Sequence, residues 1–136
     1  MTEIMPTDRE LEALKVLWDS GEATVRQIAE RISSEGATLA YTTVLSLLQV
    51  MEQKGLVGHR QDGKAYVYFA QVQRDSTFRK LAGWFLERVF DGAVDEYLVH
   101  ALRASRPSAT ELDQLQKMID EARARSKQPK HRDKAS

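Results

Sequence analysis

The feature that most narrows the fold is a change of rhythm near residue 56, where three short helical patterns give way to a strand–turn–strand pattern. Thr7-Asp8-Arg9-Glu10 is a capping box: the Thr7 hydroxyl accepts from the Glu10 amide and the Glu10 carboxylate reaches back. Leu11, Leu14, Leu17 and Trp18 then recur at helical spacing, and Gly21 stops the pattern. A second box, Thr24-Val25-Arg26-Gln27, opens a helix with Val25, Ile28, Ala29 and Ile32 on its apolar face, ended by Ser33, Ser34 and Gly36. A third helix is predicted from about Ala40 to Lys54, with Gly55 as a left-handed cap. The stretch GLVGHRQDGKAYVYFA follows. Val57 and His59 lead into a turn at Gln61-Asp62-Gly63, and Ala65 to Ala70 supplies β-branched and aromatic residues. A lone hairpin is marginal in water, so this one must pack on the helices.

Three short helices followed by a hairpin with a basic turn is the order of a winged helix-turn-helix. The predicted class is therefore mainly α with a small β-hairpin wing. From Asp75 the pattern is purely helical. Phe78, Leu81, Ala82, Phe85, Leu86 and Val89 form one stripe, closed by Asp91-Gly92, and Val94, Tyr97, Leu98, Ala101 and Leu102 form a second. Ser108-Ala109-Thr110-Glu111 is a third capping box, with Leu112, Leu115, Met118, Ile119 and Ala122 behind it. Three such helices form too small a unit to enclose a core alone. Pairing with a second copy of the chain is the economical solution, and folding back on the N-terminal domain is the alternative. The expected dimer contacts are Phe78, Leu81, Phe85, Leu86, Val89, Tyr97, Leu98, Leu102, Leu112, Leu115 and Ile119. The expected organisation is a DNA-binding winged domain over 1–72, a helical dimerisation domain over 73–125 and a disordered basic tail over 126–136.

Composition excludes several function classes. The 136 residues suit one ordinary domain or two small ones. The absence of cysteine removes disulfides, thiolate metal sites and thiol nucleophiles. No apolar run approaches the ~20 residues of a membrane span, and MTEIMPTDRE is not a secretory signal. A soluble, cytoplasmic protein is expected. The 20 basic and 20 acidic residues cancel, so attraction to nucleic acid must come from local placement. Residues 1–70 carry net −3 and residues 71–122 net −2, while RARSKQPKHRDKAS carries net +5 and can touch phosphates non-specifically. The histidines, His59, His100 and His131, fall in the wing, a later helix and the tail, with no spacing for a metal or acid–base site. No enzyme activity, cofactor or metal is expected.

The third helix is where function can be read. On a helical projection Val44, Leu47, Leu48 and Met51 cluster on one face, the core side. The opposite face carries Thr42, Ser46, Gln49 and Gln53: all can hydrogen-bond and none is acidic. A charge-poor, hydrogen-bonding face suits a surface that lies against base edges, where a carboxylate would be repelled by phosphates. Gln49 has the geometry for a bidentate contact to adenine. The N-terminal part of a recognition helix reaches deepest, which favours Tyr41, Thr42, Thr43 and Ser46 over Gln53. Arg26, Lys54, Arg60 and Lys64 are the cations placed to meet phosphates, the hairpin turn reaching into an adjacent minor groove. A winged module that docks on a protein partner is the competing reading, but it calls for larger apolar residues on this face.

At these residues the chain resembles the penicillinase-repressor family (BlaI/MecI/CopY type) of bacterial transcriptional repressors. The resemblance rests on Glu10-Leu11-Glu12, Val16-Leu17-Trp18, Thr24-Val25-Arg26-Gln27-Ile28 and Leu39-Ala40-Tyr41-Thr42-Thr43-Val44. Lys54-Gly55-Leu56-Val57, Gly63-Lys64-Ala65-Tyr66-Val67-Tyr68 and Ser108 with Glu111-Leu112 extend it over about residues 6–125. It implies a homodimer bound to a palindromic operator of double-stranded DNA, with Tyr41, Thr42, Thr43 and Ser46 as base or backbone contacts and the residues around Gly63 as the wing tip. Three departures stand out. The copper-responsive branch uses C-terminal cysteines, which are absent here. The penicillinase branch is inactivated by a protease, typically at an Asn-Phe bond; Leu98-Val99-His100-Ala101-Leu102 lacks that pair, so a sensor protease as partner is unsupported by the sequence. Val50-Met51 stands where many relatives have Arg-Leu, which removes one phosphate contact.

Overall fold

A computed structural model describes residues 5–34 and 37–127 of the chain. Its elements in chain order are α1 (Asp8–Ser20), β1 (Ala23–Thr24), α2 (Val25–Arg31), β2 (Ser33–Ser34), β3 (Ala37–Thr38), α3 (Tyr41–Gln53), β4 (Val57–Asp62), β5 (Ala65–Ala70), α4 (Arg74–Phe90), α5 (Val94–Ala104) and α6 (Ala109–Ser126). They form two compact units, Met1–Phe85 and Leu86–Ser136.

In the first unit the predicted caps set the helix starts. The Thr7 hydroxyl accepts from the Glu10 amide at 3.2 Å while Glu10 accepts from the Thr7 amide at 3.0 Å. Thr24 and Gln27 do the same for α2. Each box satisfies two amides that a helix start would otherwise leave open. The apolar faces then meet in one core: Leu14 and Leu17 from α1, Val25 and Ile28 from α2, Val44, Leu48 and Met51 from α3, with Val57 and Tyr68 from the hairpin. All nine are almost fully excluded from water.

Two features depart from the sequence expectation. The hairpin is not two-stranded: β1 pairs antiparallel with β5, Ala23 opposite Tyr68 and Thr24 opposite Val67, giving the order β1-β5-β4. Two residues are too few for a periodic signal, so this strand was invisible in the sequence. The turn also sits one residue later. Asp62 pairs with Ala65, leaving Gly63-Lys64 as the central residues, with Gly63 at φ +65°. A glycine with positive φ at the first central position is the demand of a type II′ turn, which matches the twist of the flanking strands. The second helix ends at Arg31, ahead of Ser33 and Ser34 as expected, and these two serines form a short antiparallel ladder with Ala37–Thr38; Gly36 lies outside the described residues. Lower in the hairpin, Gly58 leaves room for the Phe69 ring: a Cβ there would sit 2.9 Å from two ring atoms.

In the second unit, Phe90 stacks near Tyr97 and His100, with ring centroids 5.4 and 5.8 Å apart. Ser108 and Glu111 complete the third capping box. Neither α5 nor α6 contains a buried residue. All but two residues of the expected basic tail fall outside the described residues; Ser126 closes α6 and Lys127 caps it.

Candidate nucleic-acid interface

The core face of α3 dictates what its other face can do. With Val44, Leu48 and Met51 buried and Leu47 half-buried, Thr42, Ser46, Gln49 and Gln53 are all exposed, and so are Tyr41 and Thr43. The start of α3 differs from the starts of α1, α2 and α6. Its N-cap is Ala40, which makes no side-chain hydrogen bond, and its first turn, like that of α2, holds no acid. Among the described residues no side chain caps its leading amides, an arrangement suited to an external phosphate.

Beside that terminus lies a cleft of about 620 Å³ lined by Thr24, Val25, Arg26, Tyr41, Asp62, Lys64, Ala65 and Tyr66. The fold thus brings together Arg26 from the first turn of α2, Tyr41 from the first turn of α3 and Lys64 from the hairpin turn. Among the described residues, neither Arg26 nor Lys64 takes part in an ion pair, so both charges are available to an external anion. A second groove of about 450 Å³ runs between α3 and the hairpin, lined by Leu45, Gln49, Glu52, Gln53, His59, Tyr66 and Tyr68. Tyr66 borders both spaces and its ring is exposed.

Two of the expected phosphate-binding cations have partners inside the chain. Lys54 Nζ donates to both oxygens of Glu10, at 2.8 and 3.0 Å. The Glu10 side chain is only 3% exposed, so Lys54 is needed to compensate a buried carboxylate and is withdrawn from the candidate set. Arg60 is bound to Glu22 at 2.8 Å, although its side chain remains half exposed. The hydrogen bond to Glu22, reinforced by that residue's charge, holds the Arg60 guanidinium above its usual pKa. One Nη of Arg60 is thus committed to Glu22.

Some site residues escaped the sequence reading. Tyr66 counts in the sequence as a strand former and as part of the wing stretch that carries the resemblance, not as a contact residue, although strict alternation places it on the same side of β5 as Tyr68. His59 binds Glu52 through Nδ1 at 2.7 Å and lies against the rings of Tyr66 and Tyr68, tying the hairpin to the end of α3. Burial lifts the Tyr68 phenol above its usual pKa, and the nearby Glu52 charge adds to the effect.

The expected dimer contacts divide in two. Phe78 is engaged within the first unit: its ring meets Trp18 edge to face at 5.6 Å and carries the Arg74 guanidinium at 4.6 Å. Leu81, Leu86, Tyr97 and Leu115 are half-buried, while Phe85, Val89, Leu98, Leu102, Leu112 and Ile119 are exposed. Among the described residues no cluster of three or more His, Asp or Glu is arranged to hold a metal, and no helix is long and apolar enough to cross a membrane.

Three helices on a shared core, closed by a β-hairpin beside the third, define a winged helix-turn-helix protein. The chain belongs to the penicillinase repressor family, whose model matches residues 6–121. The penicillinase repressor of Bacillus licheniformis is 23% identical over 122 residues, covering 90% of this chain and 94% of that protein. The transcriptional regulator BlaI of Mycobacterium tuberculosis is 34% identical over 119 residues, covering 86% of this chain and 84% of that protein. Among solved structures, the DNA-binding domain of the repressor BlaI is 24% identical, with a TM-score of 0.45 over 54% of this chain and 90% of the other.

Proposed function

We propose that this protein is a cytoplasmic transcriptional repressor that binds a palindromic operator as a homodimer. One observation carries the reading: Arg26, Tyr41 and Lys64, from three separate elements, line one cleft beside the exposed Thr42–Ser46–Gln49 face of α3. In this proposal Thr42, Ser46 and Gln49 read base edges from the major groove. Tyr41, Thr43 and the open amides of α3 hold the flanking backbone, and Arg26 and Lys64 grip phosphates on either side of the cleft. Arg60 contributes secondarily, and Tyr66 joins the set. The dimer is supported by α5 and α6, which have amphipathic stripes but no buried residue. In this proposal the winged DNA-binding domain is built from residues 1–72, buttressed by the start of α4 up to Phe85, and the rest of the 73–125 segment carries the dimer contacts. Two-fold symmetry then places one recognition helix in each half-site.

Selection of bound fragments from random double-stranded DNA by the full-length protein tests this directly. An enriched inverted repeat with half-sites about one helical turn apart, or a multiple of it, is the expected result. Recovery of unenriched sequence even at low salt would refute sequence-specific binding and favour the protein-docking module.

A further inference from the structure

A separate cavity of the first unit, of about 540 Å³, is lined by Lys15, Trp18, Asp19, Arg74 and Phe78. None of these residues lines the cleft or groove of the DNA interface. Trp18 and Phe78 meet with their planes 83° apart, so the two rings form an aromatic corner. The Trp18 indole N–H donates to the Val72 carbonyl at 2.9 Å, which fixes the ring and leaves it no donor to spare. The one acid in the lining, Asp19, is paired with Arg31 at 2.9 Å. Lys15 and Arg74, in contrast, belong to no ion pair among the described residues; Arg74 lies over the Phe78 ring, 4.6 Å from its centre.

We propose that this cavity is a binding site for a small aromatic carboxylate. Its ring packs into the corner of Trp18 and Phe78, where edge-to-face and offset contacts are both available. Its carboxylate is held by Arg74, whose planar fork matches two oxygens, and by Lys15 as a second charge. The depression is open on one side, and its volume of about 540 Å³ admits one or two fused rings with part of the ligand left in water. An aliphatic acid lacks the ring contacts and a neutral aromatic lacks the charge, so the site selects for both properties together. Its occupant touches Arg74, the first residue of α4, and the Trp18 ring that is hydrogen-bonded to Val72 at the end of the hairpin.

The test uses full-length protein labelled with ¹⁵N, in which the two tryptophans, Trp18 and Trp84, are separate reporters. The probe is 2-naphthoate; the controls are 2-naphthylmethanol, cyclohexanecarboxylate and inorganic phosphate. The expected result is a saturable shift of the Trp18 indole signal with Trp84 unmoved, and each control weaker by about tenfold or more. Lys15→Met and Arg74→Met should each weaken 2-naphthoate by about tenfold, and Lys15→Arg should retain most of the affinity. The proposal is overturned by no saturable shift up to about 10 mM probe, or by equal binding of the neutral alcohol or of phosphate. Parallel movement of both indoles overturns it equally, because that pattern marks unspecific adhesion.

Discussion

Glu10 serves two tasks at once. Its carboxylate caps α1 through the Thr7 amide and also receives both hydrogen bonds of Lys54, so the start of α1 is tied to the end of α3. Lys54→Met leaves that carboxylate buried with one amide for company. The expected loss is about 3 kcal/mol, at the low end for a broken buried pair because Lys54 is partly in water. Thr7→Ala, which removes only the cap, should cost about 1 kcal/mol. Urea midpoints of the two variants check the order; a Lys54→Met protein as stable as Thr7→Ala would show that the pair contributes nothing. Tyr68 gives a prediction in pH. Its folded pKa lies above the ordinary 10, so the fold favours the protonated phenol. The stabilisation is therefore complete below about pH 10 and is lost as pH rises through the higher folded value. Tyr68→Phe should flatten this alkaline limb in urea melts between about pH 8 and 11. An unchanged limb would mean that Tyr68 does not report on folding.

At the scale of elements, α3 and the hairpin divide the work between reading and holding. Thr42→Ala and Ser46→Ala, on the exposed face of α3, should each cost about 1–3 kcal/mol of specific binding and relax preference at one operator position. Lys64→Ala, in the turn, should weaken binding to every sequence alike and reduce the salt slope by about one. Binding isotherms on operator and scrambled DNA at several salt concentrations separate the two behaviours. A Lys64→Ala loss confined to one base would contradict its role, and unchanged operator preference in both α3 variants would contradict theirs. Much of the framework around them was legible beforehand, because three capping boxes and the glycine of the hairpin turn are local signals of local structure, although the turn centres on Gly63-Lys64 and not on Asp62-Gly63. The partners of Lys54 and Arg60 were not legible. Glu10 lies 44 residues from Lys54 and Glu22 lies 38 from Arg60, and no periodicity links positions so far apart.

At the scale of the whole molecule, the compact N-terminal unit runs to Phe85, beyond the 72 expected for the DNA-binding domain. The reason is specific: Trp18 donates to the Val72 carbonyl and packs on Phe78, both of which follow the wing. A fragment ending at Phe85 should therefore be more stable than one ending at Gln71, by roughly 2 kcal/mol for one hydrogen bond and one aromatic pair. Both fragments should sediment as monomers while the full chain sediments as a dimer. A dimeric fragment ending at Phe85 would show that α5 and α6 are dispensable for pairing.

The sequence by itself determined the helices, the hairpin and the polar outer face of α3, since caps, turn residues and apolar spacing act within a few residues of one another. Only the tertiary structure decided which cations remain unpaired, that a two-residue strand completes the sheet, and that Arg26, Tyr41 and Lys64 share a cleft. Those outcomes depend on charges and backbone edges distant along the chain, and folding alone brings them within hydrogen-bonding range.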